Sequence, residues 1–373
     1  MTRNPDRPAQ IPVSLKQLSR LAGLQSALSH PQIDYLLVTH LPNIRYLCGF
    51  TGSAGALLVS EEGASFFTDG RYTEQARKEV QGAAIRIGPK APLLAAADQL
   101  RTRRRPAVLG IEGEHLTVAL ASRLRHALPE RFRVKATADV VERLRMVKDA
   151  AELALIRAAV NLGSSLFPVA CKAIRPGVTE TAVAGAIESA ARRRGSEGMA
   201  FSTIVAAGKR SALPHGRASE AAIPDRGFVV LDFGVILAGY CSDMTRTVHV
   251  GSVSRKASGW YEAVLEAQLA AIAAVAPGKA VADVDVAARK LLVRNGLGKY
   301  FTHSTGHGVG LEIHEGPRIA SRETEVLLPG MVITIEPGIY VQGQGGVRIE
   351  DMVAVTDTGC EVLTSVTKEL VVL

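Results

Sequence analysis

Residues 228–248 read FVVLDFGVILAGYCSDMTRTV, two apolar runs rich in strand-forming residues on either side of Leu237, Ala238 and Gly239. A short glycine-containing break between two such runs is the pattern of a β-hairpin. The hairpin carries two carboxylates, Asp232 and Asp243. An even-length loop pairs even-numbered with odd-numbered positions, so these two share one face of the ribbon. A two-residue loop at Leu237-Ala238 sets them directly opposite; one at Ala238-Gly239 leaves them diagonal neighbours, still within reach of one ion. Carboxylates that close repel each other unless a cation lies with them.

A second run, MVITIEPGIY at 331–340, carries Glu336, and the chain turns back through GVRIED at 346–351 to Glu350. Both positions are even-numbered, so a shared face needs an odd loop or a bulge, which Pro337-Gly338 is expected to supply. A helix precedes each acid-bearing run. Pro176-Gly177 introduces one that ends at Gly195, and Pro277-Gly278 one that ends at Gly296, the glycines lying 18 positions apart in both. Asp232 follows Gly177 by 55 positions and Glu336 follows Gly278 by 58. The C-terminal region therefore reads as two related halves, each a helix followed by an acid-bearing hairpin, which predicts a pseudo-twofold with the site between them.

Between the two hairpins, THSTGHGVGLEIHEGP at 302–317 packs His303, His307 and His314 into twelve positions. Gly306 and Gly308 flank the middle histidine and are read as letting the backbone approach an ion, which makes His307 the ligand and leaves His303 and His314 for substrate. His215, in LPHG, is a further candidate. Four carboxylates and an imidazole suit two divalent ions, with Mn²⁺ expected first and Co²⁺, Fe²⁺ or Zn²⁺ as alternatives.

Outward from this region, the 373 residues exceed the size at which one core usually stops growing, so two domains are expected. From Asp34 the first third alternates short apolar runs (DYLLV, GALLV, ASFFT, AVLGI) with helical stretches near 72–80 and 117–128, an α/β pattern with a turn at Glu61-Glu62-Gly63. The boundary is read at 140/141, just ahead of the capping signature of Asp149 and Glu152. No apolar run reads as a membrane span. The polar opening MTRNPDRPAQ lacks a secretory signal's apolar stretch, and Cys48, Cys171, Cys241 and Cys360 form no close pair, so a cytoplasmic protein with reduced thiols is expected. The net charge of +8 and the clusters Arg101 with Arg103–Arg105 and Arg192–Arg194 are assigned to helix ends rather than to nucleic acid, because no aromatic residues interleave them.

Taken in order, LPHG, LDFG, SDMTRT, HSTGHGVGLEIHEGP, TIEPGIY and GVRIED resemble the pita-bread metallopeptidases (M24), in the Xaa-Pro aminopeptidase and Xaa-Pro dipeptidase branch. NIRYLCGFTGSAGALLVS and FFTDGRYTEQA look like that branch's creatinase-like N-terminal domain. The resemblance implies an α/β N-terminal domain over 1–140 and a pseudo-twofold pita-bread catalytic domain over 141–373. It implies that Asp232 chelates one metal, that Asp243 and Glu350 bridge two, and that His307 and Glu336 hold the other. It further implies that His215, His303, His314 and Arg348 line the substrate site, and that Glu336, His215, His303 and His314 take part in catalysis. The expected activity is hydrolysis of the bond before proline at a peptide's N-terminus, aminopeptidase P-like, with the Xaa-Pro dipeptidase as alternative. A homodimer is also implied. Arg348 has two possible partners, a ligand carboxylate or the substrate's own carboxylate. The rival readings are a non-catalytic pita-bread binding module, which the full ligand set opposes, and a metal-free creatinase-like hydrolase, whose kind lacks those acids.

Overall fold

The computed structural model describes residues 14–29 and 32–373, residues 14–18 by backbone alone; the polar opening MTRNPDRPAQ lies outside the described residues. The chain divides into two compact units, Met1–Arg145 and Met146–Leu373.

The first unit is built on six strands: β1 (Tyr35–Val38), β2 (Ala56–Ser60), β3 (Gly63–Thr68), β4 (Ala84–Ile87), β5 (Ala107–Glu112) and β6 (Phe132–Thr137). Their order is β4-β3-β2-β1-β5-β6. The pairs β3–β4, β1–β5 and β5–β6 run parallel. The four strands legible as apolar runs are the inner ones, whose Leu37, Leu58, Phe67 and Leu109 pack on Leu93, Ala97, Leu100 and Leu124 of the covering helices. The two edge strands, β4 and β6, alternate with Arg86, Arg133 and Lys135 and so carry little hydrophobic signal. Charge on a sheet edge blocks further pairing.

The second unit opens with the helix Ala150–Ser164, started by a full capping box: the Asp149 carboxylate accepts from Ala151 and Glu152 backbone N–H groups while Glu152 reaches back to the N–H of Asp149. With the helix Phe167–Ala173 behind it, the stretch Ala150–Ala173 is long and apolar enough by length and composition to cross a membrane, which corrects the reading that no run qualifies. Its alanines made the run less conspicuous than leucines would have. In the fold it is a pair of packed helices, with Ile156 and Val160 in one core cluster and Leu166, Phe167 and Ala170 in another.

The internal repeat is realised by the helices Glu180–Arg193 and Val281–Arg294, each 14 residues long. Gly177, Gly195, Gly278 and Gly296 all adopt left-handed backbone at φ of +83°, +93°, +80° and +70°, a conformation that favours glycine at helix boundaries. The entry loops match as well: the N–H of Gly177 donates to Ile223 O at 2.9 Å and that of Gly278 to Leu327 O at 2.8 Å.

Each helix covers a three-strand antiparallel ladder. The first comprises β8 (Ile204–Ala207), β9 (Gly227–Asp232) and β12 (Thr245–Val250), with β9 central. The small strands β7 (Gly198–Met199), β10 (Val235–Leu237) and β11 (Tyr240–Cys241) extend its hairpin. The second comprises β13 (Gly306–Gly308), β15 (Val332–Ile335) and β18 (Asp351–Val355), with β15 central, flanked by β14 (Glu315–Ile319) and β19 (Cys360–Val362). A separate pair, β16 (Gly338–Val341) and β17 (Gly345–Arg348), continues the second hairpin beyond its carboxylate. Separate apolar cores lie under the two halves, one around Val183, Ile187 and Leu231, the other around Val284, Leu292 and Ile333.

Candidate metal centre

The first hairpin closes on the pair Leu237 and Tyr240, so its two-residue loop is Ala238-Gly239, at φ of +49° and +80°. Two residues of positive φ match the right-handed twist of the flanking strands. The same register carries down to Thr245 opposite Asp232, which leaves Asp232 and Asp243 as diagonal neighbours. Gly234 makes this possible, because a Cβ there would lie 1.8 Å from Ser242 O.

The second hairpin closes on Val341 and Gly345 around three residues, Gln342 to Gln344. This odd loop, rather than an irregularity at Pro337-Gly338, supplies the parity that two even-numbered positions need. In β15–β18 the last registered pair is Ile335 with Asp351, and the next step along brings Glu336 opposite Glu350.

His307 is the middle residue of β13. Its Nδ1 lies 3.0 Å from Gly308 O, so that nitrogen carries the proton and donates, and Nε2 keeps its lone pair. Nε2 points at carboxylates, 3.5 Å from Glu336 Oε1 and 3.7 Å from Asp243 Oδ2. The flanking glycines serve a different purpose from the one read in the sequence. A Cβ on Gly306 would lie 1.9 Å from Thr334 O and one on Gly308 2.0 Å from Gly316 O, so it is the neighbouring strands, β15 and β14, that demand glycine.

Asp243, His307 and Glu350 each offer a ligand atom, and these atoms lie within 4.8 Å of one another. Glu336 joins them through His307. Asp232 is held beside Arg348, and its charge bears on Asp243, Glu336 and Glu350. Burial first, then mutual repulsion, pushes Asp243 and Glu350 well above the ordinary carboxylate range. Burial pushes Glu336 up to about 8 and raises Asp232, the latter against the pull of Arg348. Asp232 Oδ1 and Asp243 Oδ1 are buried without a hydrogen-bond partner. Buried polar atoms are almost always satisfied, and four carboxylates withdrawn from water together are costly unless positive charge joins them. These residues therefore fit divalent cations: oxygen donors, one neutral imidazole, and unused lone pairs facing inward.

Hydroxyl groups that were not singled out in the sequence complete the site. Thr245 Oγ1 donates to Glu350 Oε2 at 2.7 Å and accepts from Arg348 Nε at 3.0 Å. Tyr340 OH accepts from Arg348 Nη1 at 2.7 Å and lies 2.9 Å from His303 Nε2. Since His303 Nδ1 donates to Ser304 O at 2.8 Å, its Nε2 accepts from Tyr340. Both threonine and tyrosine stand inside the quoted motifs, and a hydroxyl two residues after Asp243 and four after Glu336 was the available signal. Arg348 meets a ligand carboxylate, since Nη2 donates to Asp232 Oδ2, and the buried guanidinium also serves Pro214 O.

Among the remaining histidines, His314 meets the His307 ring edge-on at a centroid distance of 4.4 Å. Burial pushes His303 and His307 down to about 4 and lowers His314, so all three are neutral near pH 7. His215 is exposed on the segment that also supplies Pro214 O to Arg348, and its charge bears on Asp232, His303 and His314.

Comparison with known proteins accounts for both units. Residues 154–357 match the description metallopeptidase family M24, and residues 20–147 match the creatinase/prolidase N-terminal domain. The chain is 37% identical over 340 residues to a protein named Xaa-Pro dipeptidase from Pyrococcus horikoshii, covering 91% of this chain and 95% of that one. The solved Xaa-Pro dipeptidase from Bacillus anthracis superposes with a TM-score of 0.92 at 41% identity, over 96% of this chain and 100% of that one. The X-Pro aminopeptidase from Thermotoga maritima superposes with a TM-score of 0.85 at 35% identity, over 93% and 100%.

Proposed function

The chain belongs to metallopeptidase family M24, and from that premise we propose that it hydrolyses the peptide bond before proline, acting on Xaa-Pro dipeptides. The observation that carries the reading is the buried acid cluster beside His307, in which Asp232 Oδ1 and Asp243 Oδ1 have no hydrogen-bond partner. Two divalent ions, Mn²⁺ in this proposal, would be held by Asp232, Asp243, His307, Glu336 and Glu350. When bound they supply an acidified water and a Lewis acid for the scissile carbonyl.

The protein's own groups do the rest. Asp232 is fixed by Arg348, whose guanidinium is also the cation placed to meet a substrate carboxylate. Glu350 is oriented by Thr245. Glu336 is the carboxylate that takes a proton and returns it to the departing proline nitrogen. His314, beside His307, and His215, both exposed, offer hydrogen bonds to the substrate's carbonyl oxygens. Both ring nitrogens of His303 are committed, to Ser304 O and Tyr340 OH, so it offers a ring face. With Phe301 packed edge-on at 5.1 Å and Tyr340 beside it, that face suits a pyrrolidine ring. Proline's nitrogen has no N–H to read, so selection by shape is the available route.

Relatives of both kinds, dipeptidase and aminopeptidase, resemble the chain over nearly its whole length. The dipeptidase reading has the support of the more similar ones, whereas an aminopeptidase P-like activity was the first expectation from the motifs. Proline release from Xaa-Pro, measured against cleavage of Xaa-Pro-Yaa-Yaa, decides: preference for the dipeptide supports the proposal, and exclusive cleavage of longer peptides replaces it with the aminopeptidase. The same reading includes a cytoplasmic location, which four cysteines outside any disulfide suit, and a homodimer on the family resemblance alone.

A further inference from the structure

One position beyond Thr245 stands Arg246, and one beyond Glu350 stands Asp351. Successive residues of a strand point to opposite faces, so this second pair lies behind the first. Arg246 Nη2 meets Asp351 Oδ1 at 2.7 Å, with the arginine 1% and the aspartate 0% exposed. All five N–H groups of the guanidinium are engaged. Nε donates to Thr367 O at 2.8 Å and Nη2 also to Val366 O at 2.8 Å, while Nη1 donates to Thr245 O at 2.9 Å and to Glu350 O at 2.6 Å. The other oxygen of Asp351 accepts from Gln268 Nε2 at 2.8 Å and Lys368 Nζ at 2.6 Å.

We propose that Arg246, anchored by Asp351, is a positioning residue for the metal-ligating carboxylate of Glu350, a role that rests on the metal-centre reading above. Glu350 precedes the first residue of β18 and lies outside that strand's registered ladder. Its backbone is instead tied to β12, because its N–H donates to Thr245 O at 3.1 Å and its carbonyl accepts from Arg246. Its side chain takes the third tie, from Thr245 Oγ1. One guanidinium thus grips the carbonyls of the two residues whose side chains meet at the metal site, each contributed by a different half of the fold. A fully buried ion pair is a poor source of stability compared with apolar packing, so its presence is better explained by the geometry it imposes. Lysine cannot substitute, since three donors radiating from one nitrogen cannot reach acceptors spread around a planar fork.

The test is a calorimetric titration of Mn²⁺ into the full-length metal-free protein, for wild type, Arg246→Lys and the core control Leu292→Ala, with melting temperatures of each. Leu292 is fully buried in the second half's core, away from the ion pair, and truncating it lowers stability without touching the site. Arg246→Lys is expected to weaken Mn²⁺ binding by about 10- to 100-fold, the usual effect of losing support behind a ligand, whereas Leu292→Ala melts earlier and keeps wild-type affinity. Wild-type affinity in Arg246→Lys overturns the proposal, as does an equal weakening in Leu292→Ala, which would make the role one of stability alone. Should Arg246→Lys fail to fold, Asp351→Asn answers by the same titration and the same criteria. Failure of the wild type to bind Mn²⁺ overturns the metal-centre reading along with this one, and so is told apart from failure of the positioning role.

Discussion

Arg348 donates to Asp232 Oδ2 while Asp232 Oδ1, equally buried, has no hydrogen-bond partner. One oxygen of this carboxylate is thus neutralised by the protein and the other is left for a cation. Replacing Arg348 by Met removes the compensating charge and strands a buried acid. The expected cost to the metal-free protein is about 3–5 kcal/mol in urea unfolding. A loss below about 1 kcal/mol would mean that Asp232 does not depend on this arginine.

The clustered acids set a pH dependence whose sign differs with and without metal. Burial raises Glu336 from 4.5 to about 8 and pushes Asp243 and Glu350 well above their ordinary range. A carboxyl with a raised folded pKa contributes stability below its unfolded pKa and loses it as pH rises through the folded value. Metal-free protein should therefore lose stability as pH climbs from 4.5 toward 8. Ions need the ionised ligands, so the gain in melting temperature on adding Mn²⁺ should grow across the same window. A metal-induced gain that is flat with pH would argue against carboxylate ligation.

Much of this centre was legible in the sequence because strand geometry converts numbering into faces. The parity of Asp232 and Asp243 gave the shared face, and the true loop, Ala238-Gly239, selected the diagonal of the two arrangements. The matched glycines around the two helices marked the repeat, since left-handed backbone at all four leaves a sequence signature. Other features leave no such mark. The three-residue loop at Gln342–Gln344 could not be told from a bulge at Pro337-Gly338, because both give the required parity. Gly306 and Gly308 looked like a cradle for an ion, yet what crowds them is backbone from β15 and β14, a strand pairing that the sequence does not display. Edge strands β4 and β6 were missed because Arg86, Arg133 and Lys135 interrupt their apolar residues.

Gly306 provides a test of that crowding. A methyl group there would fall 1.9 Å from Thr334 O, forcing β13 from β15 and carrying His307 with it. Gly306→Ala is expected to destabilise the fold by about 2–4 kcal/mol and to weaken metal binding, as followed by thermal melts and Mn²⁺ titration. Unchanged melting and binding would mean that the two strands are not so closely apposed.

His303 separates substrate recognition from metal binding. Its nitrogens are engaged by Ser304 O and Tyr340 OH, and it is not within the group formed by Asp243, His307 and Glu350. His303→Ala should retain wild-type Mn²⁺ affinity while kcat/KM on an Xaa-Pro dipeptide falls by about 10²-fold, a loss of ~2.7 kcal/mol in transition-state binding. Loss of metal in this variant would move His303 into the ligand set.

In the proposed function, ions held by Asp232, Asp243, His307, Glu336 and Glu350 carry out the hydrolysis. The most direct measurement pairs elemental analysis with proline release from an Xaa-Pro dipeptide, for wild type and Asp243→Ala, before chelation, after it, and after reloading with Mn²⁺. About two ions per wild-type chain are expected, with activity that vanishes on chelation and returns with Mn²⁺, and neither ions nor activity in Asp243→Ala. Full activity in chelated, metal-free protein, or two ions and normal turnover in Asp243→Ala, would contradict it.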